Sequence, residues 1–412
     1  MPNPRRLSIH RIVGLLAFAL ILVFSGIDCG RGQDTNLLER RLQQHQRQLR
    51  RARTDGERMR LQAEFHLDLE EMLSAIRQSP DREESRLTGA KIHMLLRRYD
   101  TALAWLEPLI DGDSPLRARA RLTSVSALIH LGRMREAAAL FRRTGVPPGD
   151  EIAYHELMLR LSETVGDPAL RHRLGEAFMR ATRTRPKLRP LVPRGLRNLA
   201  DIAKEEGRIS TAIAMLRRGI EQARRRGDRD ILQAYLQPLL RLGQTAPPLR
   251  PVDWVFPPEG MEPSNGKGLV LQFWSTGCPS CRRLIPRIKA LRLPLSRRGI
   301  GLVTCIQISD RYGDDLTPIH RIGRDGSLTR SRRFVERMGI DYPLARVDHQ
   351  TLTRFGVQGY PTVFFIDEDG IIRDFAVSDL HFDRFVDRVS GSGEDATPKS
   401  AASGSRDSDP IP

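Results

Sequence analysis

Two cysteines, Cys278 and Cys281, have the types and spacing best suited to chemistry in this 412-residue chain. An apolar run ending at Trp274 precedes them, Pro279 stands between them, and a basic amphipathic segment follows. This pattern predicts a buried strand, a tight turn and a helix that opens on Cys278. The N–H groups and dipole of a helix N-terminus favour a thiolate, and a second cysteine one turn on can attack a mixed disulfide. The spacing therefore indicates dithiol redox chemistry.

Zinc and haem fit the two cysteines less well. A structural zinc site needs four ligands, and the remaining cysteines, Cys29 and Cys305, are single and remote in sequence. A c-type haem site needs histidine directly after the second cysteine, where this chain has Arg282. A zinc site or a purely structural disulfide stays open as a lesser alternative. The sequence predicts no metal and no other cofactor.

A second group of motifs follows further along the chain. GVQGYPT begins at Gly356, an apolar run leads to Ile366, Asp367–Gly370 is a hairpin signal, and the return strand ends at Val377. With these segments the chain resembles the thioredoxin superfamily, most closely its TlpA-like extracytoplasmic thiol–disulfide oxidoreductases. The matching segments are FWSTGCPSC with Arg282 and Pro286, MGIDYPLARVD, FGVQGYPT and FFIDEDGIIRDF.

The resemblance implies an α/β thioredoxin-like domain over residues 251–390. Together with the helix-opening position of Cys278, it makes Cys278 the nucleophile and Cys281 the resolving cysteine of a redox-active disulfide. It also implies that Tyr360–Pro361 is a cis peptide bond beside the cysteines. The substrate-binding surface is expected to be shaped by Trp274, Tyr360 and Pro361. Expected partners are protein disulfide or dithiol substrates and an upstream electron donor.

The chain is strongly basic, with a formal net charge of +17. Nucleic-acid binding would favour basic residues on one face with interleaved aromatic side chains, yet aromatic residues make up only 6% of the chain. The arginines instead alternate with acidic residues through helical segments, which is typical of a solvated, ion-paired surface. The composition therefore predicts no nucleic-acid partner.

Residues 1–28 have the pattern of a signal peptide or a membrane anchor. Arg5, Arg6 and Arg11 precede an unbroken apolar run from Ile12 to Phe24, which is short for a spanning helix. The basic flank is expected to stay in the cytoplasm. The rest of the chain is thus predicted to lie on the periplasmic side, membrane-anchored or secreted, where disulfides form and persist.

Residues 34–246 carry helical patterns with almost no strand signal. A turn, a small residue and a large apolar residue recur near Ala102, Ala137 and Ala212, at about the 34-residue tetratricopeptide period or its double. The region therefore resembles tetratricopeptide repeats, and an ordinary helical domain is the alternative. A repeat array leaves a concave face for a protein partner. The tail, residues 391–412, is predicted to be disordered.

These features predict a multidomain protein, with an all-α helical-repeat region followed by an α/β thioredoxin-like domain. The predicted function is that of an exported, membrane-tethered thiol–disulfide oxidoreductase whose repeats bind a protein partner. The alternative is a repeat scaffold whose thioredoxin-like domain is a docking module with a structural disulfide.

Overall fold

The computed structural model describes residues 33–52, 55–77, 82–257, 267–276, 278–307 and 323–391. The predicted signal or anchor segment, 1–28, and all but the first residue of the predicted tail, 391–412, lie outside the described residues. No helix among the described residues combines the length and apolar character needed to cross a bilayer. The described chain forms two compact units, which divide between Gly195 and Leu196.

Helices dominate the chain before the first strand. In chain order they are α1 Gln33–Arg51, α2 Asp55–Ile76, α3 Glu83–Leu95, α4 Tyr99–Ile110, α5 Arg117–His130, α6 Met134–Arg142, α7 Glu151–Thr164, α8 Pro168–Thr184, a 3₁₀ turn Pro186–Leu191, α9 Val192–Glu205, α10 Ile209–Gln222 and α11 Arg226–Leu239. Strands and helices then alternate as β1 Asp253–Phe256, β2 Gly268–Trp274, α12 Pro279–Arg297, β3 Ile300–Gln307, α13 Gly323–Arg337, β4 Leu344–Val347, α14 His349–Phe355, β5 Thr362–Asp367, β6 Ile372–Ala376 and α15 Phe382–Gly391. The predicted order, a helical region followed by a mixed α/β region, is confirmed.

In the first unit, helices that follow one another in sequence pack side by side, such as α3 against α4, α4 against α5, and α7 against α8. Ala102 and Ala137, the two small residues of the repeated pattern that lie in this unit, are fully buried. Gly89 on α3 lies directly against the Trp105 ring on α4, so a side chain there would collide with the indole. Small residues at close helix crossings are what helical repeats require. The assignment to tetratricopeptide repeats stays a prediction.

The second unit is built on a six-stranded sheet with the order β1-β4-β3-β2-β5-β6. Strand β2 pairs in parallel with β3 and antiparallel with β5, and β6 returns antiparallel beside β5. The predicted hairpin is confirmed, with Gly370 in the left-handed conformation that its turn requires. Strand β2 lies inside the sheet with both faces buried in apolar cores, which explains why its sequence is apolar except at Gln272.

Two apolar cores cover the two faces of this sheet. One core joins the sheet to α12, α13 and α15. The other joins it to α14 and to the helical segment α9–α11, through side chains that include Ala212, Leu232 and Leu236. Helices that precede the first strand therefore form part of the core beneath the sheet. The domain limits predicted from the sequence, 34–246 and 251–390, stay a prediction.

Candidate functional site

Cys278 lies where strand β2 gives way to helix α12. Its backbone is extended, as an N-cap requires, and Pro279 occupies the first helical position. The N–H group of Cys281 donates a hydrogen bond to Sγ of Cys278 over 3.2 Å. A sulfur held at this position receives both a backbone donor and the positive end of the helix dipole, which stabilise negative charge on it.

The two cysteines form a disulfide, with their Cα atoms 5.3 Å apart. Cys281 is fully buried, at 0% exposure, whereas Cys278 is only partly buried. Of the two sulfurs, the one in the partly buried residue, Cys278, is therefore the more accessible from solvent. Cys305 lies in β3 as a free, fully buried thiol whose pKa is raised by that burial.

The loop between α14 and β5 comes close to the disulfide. Its Tyr360–Pro361 peptide bond is cis, as the resemblance implied. The carbonyl oxygen of Tyr360 lies 3.6 Å from Sγ of Cys278. Thr362 stabilises the loop, because its hydroxyl donates a 2.8 Å hydrogen bond to the carbonyl of Gly359. The Tyr360 side chain is half-buried, and this burial raises its pKa to about 12.

Trp274 lies beneath the site and not on its surface. Only 1% of the residue is exposed, and its ring centroid lies 6.2 Å from that of Phe334 on α13. Its indole therefore packs in the core that supports the cysteines. The predicted role of Trp274 in the substrate-binding surface requires that its ring become exposed. This role stays a prediction, as do the roles of Tyr360 and Pro361.

Two arginines fix the start of α12. Arg282 donates from Nε to the carbonyl of Thr276 over 2.9 Å, which ties the helix to the turn before Cys278. Arg283 donates to the Asp379 carboxylate over 2.6 Å and to the Ser280 hydroxyl over 2.8 Å. These bonds hold the first turn of the helix from both sides.

Helix α11 touches the loop of Tyr360 from the other side, and nothing in the sequence pointed to this contact. A methyl group on Gly359 would lie 3.2 Å from Cβ of Ala234. A methyl group on Gly356 would lie 3.1 Å from the carbonyl oxygen of Gln237. Both glycines of the GVQG motif thus allow a helix from the preceding region to approach the loop closely.

A buried ionic network ties α9 to β6 and α15, again without a signal in the sequence. Lys204 donates to the Asp374 carboxylate over 2.9 Å and to the Phe375 carbonyl over 2.8 Å. Arg388 holds the other oxygen of Asp374 over 2.7 Å. Burial alone would raise the pKa of Asp374, but the two cations outweigh it and lower the pKa. The carboxylate is therefore ionised at neutral pH.

Comparisons with known proteins concern the C-terminal part of the chain. Residues 260–375 match the model of the AhpC/TSA family. The chain is 27% identical over 111 residues to thiol-disulfide oxidoreductase ResA of Geobacillus thermodenitrificans, a match that covers 26% of this chain and 53% of that relative. It is 24% identical over 123 residues to the thioredoxin-like protein YneN of Bacillus subtilis, covering 29% of this chain and 62% of the relative.

Among solved structures, the chain is similar to a thioredoxin-family thiol:disulfide interchange protein from Chlorobium tepidum, with 25% identity and a TM-score of 0.24, over 31% of this chain and 82% of that one. The chain spans between about half and three-fifths of the length of the curated relatives named above. The C-terminal part of the chain is a thioredoxin-like domain, as its motifs predicted. It is similar to ResA- and TlpA-like thiol–disulfide oxidoreductases, and a helical region precedes it.

Proposed function

We propose that this chain is a thiol–disulfide oxidoreductase that exchanges disulfides with protein substrates through Cys278 and Cys281. The observation that carries the proposal is the asymmetry of the pair. One sulfur is partly exposed at a helix N-cap, where an N–H group lies 3.2 Å away, and the other is fully buried one turn further on. This is the arrangement that an attacking and a resolving thiol require.

In the first step, the reduced chain attacks a substrate disulfide. The Cys278 thiolate bonds to one substrate sulfur, the substrate S–S bond breaks, and the other substrate sulfur leaves as a thiolate that takes a proton from water. The N–H group of Cys281 and the helix dipole stabilise the attacking thiolate before bond formation. The Tyr360 carbonyl, 3.6 Å from the Cys278 sulfur, marks the side on which an extended substrate strand can lie.

In the second step, Cys281 resolves the mixed disulfide. Its thiol loses a proton to solvent, its sulfur bonds to Sγ of Cys278, and the substrate sulfur leaves with the bonding electron pair and is protonated. Two electrons have then passed to the substrate, and the chain holds the Cys278–Cys281 disulfide. The reverse sequence donates a disulfide, and the difference in reduction potential between the pair and its partner sets the direction.

The location and partners form part of the same proposal. The basic flank and apolar run within residues 1–28 support export and a membrane tether, with the redox domain in a compartment where disulfides persist. An upstream dithiol donor would return the pair to its reduced state, and the helical region would bind a protein partner. A reporter fused after Ser390 should be active outside the cytoplasm, and activity confined to the cytoplasm would refute this location.

Reduction of a protein disulfide by the full chain tests the chemistry. Wild type with a chemical reductant should accelerate the reduction of insulin. Cys278→Ser should abolish this acceleration, and Cys281→Ser should accumulate mixed disulfides on non-reducing gels because resolution is lost. Cys305→Ala is the matched control, because that thiol is free and fully buried, and it should retain activity. If wild type is inactive, or Cys278→Ser is as active as wild type, the proposed chemistry is wrong.

A further inference from the structure

The helix that contacts the Tyr360 loop is itself rigidly held. Leu232 and Leu236 of α11 are buried in the core beneath the sheet. The hydroxyl of Tyr235, also on α11, donates a 2.6 Å hydrogen bond to the buried Asp201 carboxylate on α9. Its ring packs 5.1 Å, centroid to centroid, from that of Phe375 in β6. The C-terminal half of α11 is therefore fixed to the sheet.

The chain just beyond α11 is fixed as well. The N–H of Gly243 donates to the carbonyl of Ile372 over 2.9 Å, and the N–H of Ala246 donates to the carbonyl of Gly370 over 2.8 Å. The N–H of Ile372 returns a bond of 3.0 Å to the carbonyl of Gln244. The segment thus pairs with the start of β6 like a short added strand. The C-terminal end of α11 is consequently tied to the domain that carries the cysteines.

The loop of Tyr360 lies between this fixed helix and the disulfide. On one side, Gly359 approaches Cβ of Ala234 so closely that a methyl group would come within 3.2 Å. On the other side, the carbonyl of the next residue lies 3.6 Å from Sγ of Cys278. Because interiors are close-packed, a displacement on the helix side is transmitted to the cysteine side.

We propose that α11 positions the Tyr360 loop for protein substrates, with Ala234 as the positioning residue. The inference rests on the proposed function. It adds α11, a helix that precedes the first strand, to the elements that position the substrate. A protein substrate must lie along the loop while its sulfur reaches Cys278. The rate of disulfide exchange with that substrate therefore depends on the position of the loop. A small disulfide reagent needs only the exposed thiolate, and its rate does not depend on the loop.

A single added methyl group tests this inference. Gly359 has no left-handed backbone, so alanine can adopt its conformation, but the new methyl group meets Ala234. The loop must then shift by a few tenths of an ångström. Since a misplacement of 1 Å can cost about 100-fold, we expect Gly359→Ala to lower kcat/KM for a protein disulfide by roughly 5-fold. Exchange with a small aromatic disulfide and the pH dependence of Cys278 alkylation should stay as in wild type.

A compensating change and a matched control complete the experiment. Ala234→Gly in the Gly359→Ala background removes the opposing methyl group, so the double variant should regain most of the wild-type kcat/KM for the protein disulfide. Gly227→Ala adds the same methyl group to α11 where no atom lies within 4 Å, and it should exchange at the wild-type rate.

The outcomes separate the inference from the proposed function. An inactive wild-type chain overturns both. If wild type is active but Gly359→Ala changes protein and small-reagent exchange equally, or changes neither, the positioning role is wrong. If Ala234→Gly does not restore exchange, the methyl group blocks the substrate directly, and the positioning role of Ala234 is again refuted.

Discussion

Asp374→Asn should strongly lower the free energy of unfolding of the second unit. Residue 374 lies far from the disulfide in sequence. The carboxylate accepts hydrogen bonds from Lys204 and Arg388, and the lysine side chain is only 4% exposed. Asparagine keeps the shape but removes the charge, so a buried ammonium group loses its nearest counter-charge. Breaking a buried ion pair in this way typically costs about 3–5 kcal/mol.

The remaining contacts set the expected value within that range. Asp201 still lies 3.5 Å from the lysine Nζ, and the Phe375 carbonyl still accepts its 2.8 Å hydrogen bond. The lysine is therefore not left without partners, and the lower end, about 3 kcal/mol, is the appropriate estimate. At about 1.4 kcal/mol per factor of ten, the population of the opened unit should rise on the order of 100-fold.

Cys305 provides the assay, because it is a free thiol at 0% exposure in the core of the same unit. In the oxidised chain the Cys278–Cys281 disulfide does not alkylate, and Cys29→Ser removes the remaining thiol. The rate at which a maleimide labels Cys305 then reports the opened population of the unit, provided that closing is faster than labelling. Asp374→Asn should label on the order of 100-fold faster than the Cys29→Ser parent.

An exposed ion pair in the same unit supplies the control. Asp230 on α11 lies 3.9 Å from Arg226, and its side chain is 68% exposed. Such pairs contribute at most about 0.5 kcal/mol, so Asp230→Asn should accelerate labelling by no more than roughly threefold. If Asp374→Asn labels as slowly as Asp230→Asn, the buried network does not stabilise the unit and the reasoning is refuted.

Three further outcomes are expected. In the reduced chain, Cys278 should titrate below the free-thiol value of about 8.5, measured as alkylation rate against pH, and a value at or above it would contradict the N-cap argument. The lowered pKa of Asp374 means that its network stabilises the fold above the unfolded pKa of about 3.9 and that this stabilisation is lost as pH falls through the folded pKa. The urea midpoint of wild type should therefore fall in acid, and that of Asp374→Asn should fall less. Gly89→Ala should destabilise the helical unit by about 1–3 kcal/mol in urea unfolding, because the new methyl group collides with Trp105, while Gly56→Ala, with no atom within 4 Å, should not. Equal midpoints for these two alanine variants would refute the close crossing.

The local parts of the site were predictable from the sequence. The strand, turn and helix around Cys278 follow from an apolar run, a small-residue turn and Pro279, and all three act over a few residues. The hairpin after β5 follows equally from Asp367 and Gly370. The burial of Cys305 follows from its place in an apolar strand. Such features depend on neighbours in sequence, and their physical causes can be recognised in the residues themselves.

The long-range parts were not predictable from one sequence. The bond between Lys204 and Asp374 joins residues 170 positions apart, and neither residue carries a local signal of its partner. Whether α11 packs on another helix or on a sheet likewise depends on strands that are distant in sequence. Trp274 shows the same limit, because an aromatic residue beside a cysteine motif suits a surface and a core equally well. The structure places it in the core, against Phe334.

The backbone pairing after α11 also has a consequence for solubility. Strand β6 stands at one end of the sheet order, where open N–H and C=O groups can recruit a strand of another molecule. The hydrogen bonds of Gly243 and Ala246 occupy the first part of that edge. A chain shortened to begin at Pro251 would leave those groups free and would also uncover apolar side chains that α11 covers. Such a fragment would offer neighbouring copies a template for intermolecular β-pairing. In the full chain, the segment that contains Gly243 and Ala246 therefore protects this edge against aggregation.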